Sequence, residues 1–101
     1  MPLFITATYQ VKEESIKKIK KAIENFTAYV KKHESGTKLY MAWQDEKDPT
    51  KFTHIFIFQD EKARIDHSNS KEAMKFEEVY TPELVGGPVQ FAHFYEIATN
   101  K

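Results

Sequence analysis

FTHIFIFQDEKARIDHSNS, residues Phe52–Ser70, changes period in the middle, and that change decides the architecture. Phe52, His54, Phe56 and Phe58 alternate with Thr53, Ile55, Ile57 and Gln59, the period of two that belongs to a strand. Asp60 carries a carboxylate able to accept from the free N–H groups of a helix start, and Glu61 opens a short helix bearing Ala63, Arg64 and His67. Ser68-Asn69-Ser70 interrupts that helix. Ser70 can cap a further one through Ala73, Phe76, Val79 and Tyr80. A strand feeding a helical region broken in two is therefore expected.

Working back from Phe52, the run Asp45–Lys51 with Asp48-Pro49 reads as a hairpin connection. Before it, Thr37–Gln44 reads as a strand with Leu39, Met41 and Trp43 on one side and Tyr40 and Ala42 on the other. From Lys12 to about Lys32 the period is helical: Ile16, Ile19, Ile23, Phe26 and Val30 recur every three or four residues as one apolar stripe. Glu13 and Glu14 lead, Lys31, Lys32 and His33 close, as the helix dipole favours, and Gly36 follows as a stop. The stripe marks a structural helix, with Lys17, Lys18, Lys20 and Lys21 on its solvated side. Leu3–Val11 alternates again, with Leu3, Ile5, Ala7, Tyr9 and Val11 on one face. Beyond the broken helix, Thr81–Pro88 with Gly86-Gly87 reads as a loop and Val89–Ala98 as the last strand.

The order is β-α-β-β-α-β, which predicts an α+β, ferredoxin-like domain over residues 1–101 with strand order 4-1-3-2 and helices on one face. The other face would hold Phe4, Tyr40, Ile55, Ile57 and Phe94, too much apolar surface to leave in water. In so short a chain the covering sheet must come from another subunit. A homodimer, a dimeric α+β barrel, is expected.

Composition excludes several functions. The 15 basic and 15 acidic residues cancel and Arg64 is the only arginine, which argues against nucleic acid as a partner. The longest apolar run, Leu39–Trp43, is far short of a membrane span. The N-terminal residues show no charged-then-apolar leader, so the expected compartment is the cytoplasm. With no cysteine, disulfides, thiolate metal sites and cysteine nucleophiles are excluded. No HExxH, GxGxxG, P-loop or Ser-His-Asp arrangement appears, and no metal site is expected.

The element order, the strand ending Phe56-Ile-Phe-Gln-Asp60 and the segment Ala63-Arg-Ile-Asp-His67-Ser-Asn-Ser70 together resemble the antibiotic biosynthesis monooxygenase family, which includes quinol monooxygenases. His67 and Ser70 match a histidine and a serine of the family's helix. Phe58 matches an aromatic position, whereas Phe56 stands where a glutamate is usual. The resemblance implies a dimeric barrel that oxidises a small aromatic or quinol-type substrate with dioxygen, using no metal, flavin or haem. A haem-degrading branch fits less well: Ala7 and Thr8 stand in place of an asparagine, and no tryptophan follows Asp60. The absent glutamate leaves a second reading open, a non-catalytic barrel that binds a small hydrophobic ligand or serves a stress or assembly role.

On the monooxygenase reading a base titrating near neutrality is needed to form the substrate anion, and His67 is the candidate catalytic residue. His54, His93 and Tyr9 fall on the apolar parity of their strands. With Ala7 between the two histidines, a flat ligand would have room. The expected pocket is lined by Tyr9, Trp43, His54, Phe58, Phe76 and His93 beside His67, with Met41, Phe56 and Phe91 also beneath the helices.

Overall fold

A computed structural model describes residues 1–101. Four strands form one antiparallel sheet: β1 (Leu3–Val11), β2 (Thr37–Gln44), β3 (Lys51–Phe58) and β4 (Leu84–Phe94), in the order β2-β3-β1-β4. Three helices lie on one face: α1 (Ile16–His33), α2 (Glu61–Ser68) and α3 (Lys71–Tyr80). This is the expected ferredoxin-like α+β arrangement, and the strand order is the expected one.

The apolar stripe of α1 forms the seam with the sheet. Ile19, Ile23, Phe26 and Val30 are buried against Tyr9, Val11, Phe52 and Phe76. Each such side chain contributes about 1.5–3 kcal/mol through loss of apolar area to water. The α-helix starts at Ile16, later than the period suggested. Glu13–Ser15 form a 3-10 turn instead. Buried Ser15 donates to Glu83 (2.5 Å), and Lys12 N–H donates to the Glu83 carbonyl (2.9 Å), tying the turn down. The break in the second helical region is where the sequence placed it. Asp60 accepts from Ala63 N–H at 2.9 Å and Ser70 Oγ from Ala73 N–H at 3.0 Å, so each half has its own cap.

Two expectations fail on strand geometry. In β2, Thr37 pairs with Phe58 but Leu39 pairs with Ile57, so Lys38 is an extra residue, a bulge. The slip reverses every side chain beyond it. Tyr40 and Ala42 therefore face the helices, while Leu39, Met41 and Trp43 share the open face with Ile55 and Ile57. Trp43 is 53% exposed and Met41 37%.

In β4 the segment expected as a loop is already strand. Leu84 and Val85 pair with Val11 and Gln10, and Gly86 and Gly87 take positive φ (76° and 106°) where the register shifts. The strand ends at Phe94 because its partner β1 begins at Leu3, leaving Tyr95 and Ile97 outside the sheet and exposed.

Candidate functional site

Between the sheet and the helices lies a cavity of about 570 Å³ with 12 hydrophobic residues among its 18 lining residues. β1 supplies Tyr9, β3 supplies His54, Phe56 and Phe58, α2 supplies His67, α3 supplies Phe76, and the edge strand β4 supplies Phe91 and His93. Six of the seven residues expected from the sequence thus meet here. Trp43 does not: the bulge in β2 turns it to the opposite face, where it borders a shallow depression with Thr8, Gly86 and Gln90. Phe91 is 64% exposed at the cavity rim, since β4 is an edge strand that the helices do not cover.

His67 sits in an aromatic setting. Its ring lies 5.0 Å from Phe56, 5.1 Å from Phe58 and 5.3 Å from Phe26, centroid to centroid. Phe56, the residue in place of the usual glutamate, is buried and stacks on Tyr40 at 4.5 Å. The Nδ1 atom of His67 is 2.7 Å from Oε1 of Glu34, and both side chains are nearly buried. The Nε2 atom has no protein partner, while the ring forms part of the cavity wall.

His54 is a different kind of histidine. Its Nε2 is 2.7 Å from the Tyr9 hydroxyl and its Nδ1 is 2.7 Å from the Tyr40 hydroxyl. A neutral ring has one donor and one acceptor, so one tyrosine donates to it and the other accepts from it. Burial, and then the charge of nearby His67, push the His54 pKa down to about 4. Burial likewise holds the phenols of Tyr9 and Tyr40 above the ordinary tyrosine range. In this neutral trio both ring nitrogens of His54 are occupied, while each tyrosine hydroxyl keeps bonding capacity. His93 lies on the exposed edge strand, opposite Ile5, so Phe91 and not His93 faces His54 across Ala7.

Ser70, matched by sequence to the family's helix serine, caps α3 and donates to the His67 carbonyl at 3.0 Å. Two further residues at the site, Glu34 and Tyr40, have no sequence signal that places them here. Glu34 is 33 positions from His67 and carries no local signal, and Tyr40 was hidden by the bulge that reverses β2. No cluster of three or more His, Asp or Glu side chains stands at metal-binding spacing. No helix is long and apolar enough to cross a membrane.

The family model for antibiotic biosynthesis monooxygenases matches residues 2–79. No curated protein sequence matches the chain. Among solved structures, a Bacteroides thetaiotaomicron protein bearing that family name superposes with a TM-score of 0.90 at 13% identity, over 99% of this chain and 93% of the other. A Pseudomonas aeruginosa protein gives 0.84 at 23% identity over 96% and 95% of the two chains. A Mycobacterium tuberculosis protein gives 0.86 at 11% identity over the whole of both. At these identities the likeness is one of fold.

Proposed function

The chain belongs to the antibiotic biosynthesis monooxygenase family, and on that premise we propose that it oxidises a small, flat phenolic or quinol-type substrate with dioxygen and without a bound cofactor. The observation that carries the reading is one imidazole nitrogen, Nε2 of His67, left without a protein partner in the wall of an aromatic cavity. A phenol O–H placed against Nε2 gives up its proton, and the resulting anion is electron-rich enough to pass an electron to oxygen. For an anthrone the overall change is one CH₂ plus O₂ giving one C=O plus water. The protein's share is the base, the orientation and the exclusion of water. Tyr9, held by His54, offers a hydroxyl in the same cavity against which a substrate oxygen can be oriented.

The experiment is oxygen uptake by metal-free protein over a panel of hydroquinones, catechols and anthrones. Consumption that tracks protein concentration supports the reading. If none is consumed, the oxygenase reading falls. The second reading, a ligand-binding barrel without catalysis, is favoured by one feature, Phe56 in the position where the family usually has a glutamate. Saturable binding of the same compounds without oxygen uptake would select it.

We also propose that two copies of the chain pair through the open sheet face, on the side of the sheet away from the cavity. Phe4 pairs in register with both Ile57 and Phe94, Leu39 with Ile57, and Met41 with Ile55, so these side chains form a continuous apolar surface. Phe94 is 55% exposed and Trp43 53%, which is costly for a lone subunit in water. Burying about 1,000 Å² or more between two copies would stabilise each of them substantially. Light scattering at micromolar concentration is expected to give twice the 11.9 kDa chain mass. A folded monomer would overturn the dimer.

A further inference from the structure

We infer that Glu34 is the positioning residue of this site, fixing the tautomer of His67 so that a bare Nε2, and not an N–H, faces the cavity. The inference rests on reading His67 as the base. It starts from hydrogen-bond chemistry. A neutral imidazole holds one proton, and a carboxylate can only accept. With Glu34 Oε1 at 2.7 Å from Nδ1, that proton sits on Nδ1, and the lone pair is left on Nε2. A proton then taken from a substrate makes an imidazolium directly bonded to an anion in a setting from which water is largely excluded. The Glu34 side chain is 11% exposed and that of His67 10%. The attraction grows as the charge develops, so it acts on the transition state more than on the bound ground state.

The local fold holds Glu34 to this task. It is the residue after the last turn of α1, where its N–H donates to the Val30 carbonyl at 2.9 Å. Thr37 donates through Oγ1 to the same Oε1 at 2.7 Å, and its N–H donates to the Glu34 carbonyl at 3.1 Å. The turn they close lies against the start of α2, the helix that carries His67. A Cβ on Gly36 would stand 2.7 Å from that of Ala63, and Gln59 N–H donates to the Gly36 carbonyl at 2.8 Å. Gly36 is therefore needed for this close approach, and not as the helix stop expected of it, since α1 ends at His33 with Glu34 as its C-cap. The other carboxylate oxygen, Oε2, is buried with no hydrogen-bond partner. That orphan acceptor is a destabilising feature, which a contact serving only to staple α1 to α2 would not require.

The test has two independent readouts on the full-length chain. The first needs no substrate: ¹⁵N spectra of histidine-labelled protein at about pH 8, where an ordinary imidazole is neutral. His67 is expected with its proton on Nδ1 and a lone-pair signal at Nε2, and in Glu34→Gln the preference is expected to weaken or reverse. A wild-type His67 protonated on Nε2 overturns the assignment, whether or not any substrate is ever found. The second is the split between kcat and KM for the hydroquinone or anthrone consumed fastest. Glu34→Gln is expected to lower kcat by about 10-fold or more with KM within about twofold, the pattern of an interaction made in the transition state. Thr37→Val, which leaves Glu34 charged but loosely held, is expected to fall between the two. An unchanged kcat in a folded Glu34→Gln variant overturns the positioning role even where the tautomer is as inferred. Failure of the whole panel in oxygen uptake is a failure of the function and is told apart from the tautomer result.

Discussion

His67→Ala is expected to lower the rate of oxygen consumption by about 10²-fold or more, the usual size of a general-base contribution. The substitution removes the imidazole nitrogen that the fold leaves without a protein partner in the aromatic wall of the cavity, and neither other cavity histidine is as well placed. His54 has both ring nitrogens bonded to tyrosine hydroxyls and a pKa held down near 4 by burial, so it is a weak and obstructed base at neutral pH. His93 stands at the exposed edge. The fold should survive, because Glu34 keeps its bond from Thr37 and the space vacated opens on the existing cavity. Circular dichroism and a thermal melt separate loss of base from loss of structure. Full activity in a folded His67→Ala variant would mean that His67 is not the base, and rim-exposed His93 would be tested next.

The parts of this molecule that could be read from its sequence are those where one period governs a whole element. The stripe from Ile16 to Val30, buried from Ile19 onward with Ile16 partly covered, and the alternation Phe52-His54-Phe56-Phe58 lie where the periodicity puts them. The caps Asp60 and Ser70 were legible because a capping side chain acts within three residues of itself. Legibility failed where geometry inserts a residue that composition does not announce. Lys38 is such a residue, and a single bulge there exchanged Tyr40 for Trp43 at the cavity side of the sheet. The Gly86-Gly87 pair reads as a loop because glycines with positive φ serve loops and irregular strands equally well. The Glu34–His67 pair joins the end of one helix to the end of another across 33 residues, so only the assembled fold brings it together. His54 was visible as a buried histidine, but its two partners, one on β1 and one on the reversed strand β2, were not visible together.

That histidine gives the chain a specific sensitivity to acid. The His54 pKa is about 4 in the folded protein and near the ordinary 6.5 in the unfolded chain. Between these values the unfolded chain binds the extra proton and the native state does not, so stability rises with pH across this interval and falls as the solution is acidified. Above pH 6.5 neither state is protonated at this site and no penalty applies. By pH 4 the cost reaches about 3 kcal/mol, from roughly 1.4 kcal/mol per pKa unit. Asp48, Asp60, Glu61 and Glu83, whose pKa values are lowered by hydrogen bonds and, for Glu61 and Glu83, by paired cations, add their own losses only as pH falls through and below the ordinary carboxylate range. Among the groups with shifted pKa values, the interval from pH 6.5 to about 4.5 therefore belongs to His54. Protonated His54 carries two N–H donors, so the tyrosine that donated to it must rotate its O–H and accept instead, which sends that hydroxyl proton in search of another acceptor in a buried wall. Urea titrations at pH 7 and at pH 4.5 should show the wild-type midpoint falling markedly more than that of His54→Asn, which cannot take up the proton. Equal falls in the two proteins would show that His54 is not the group that sets the acid limit.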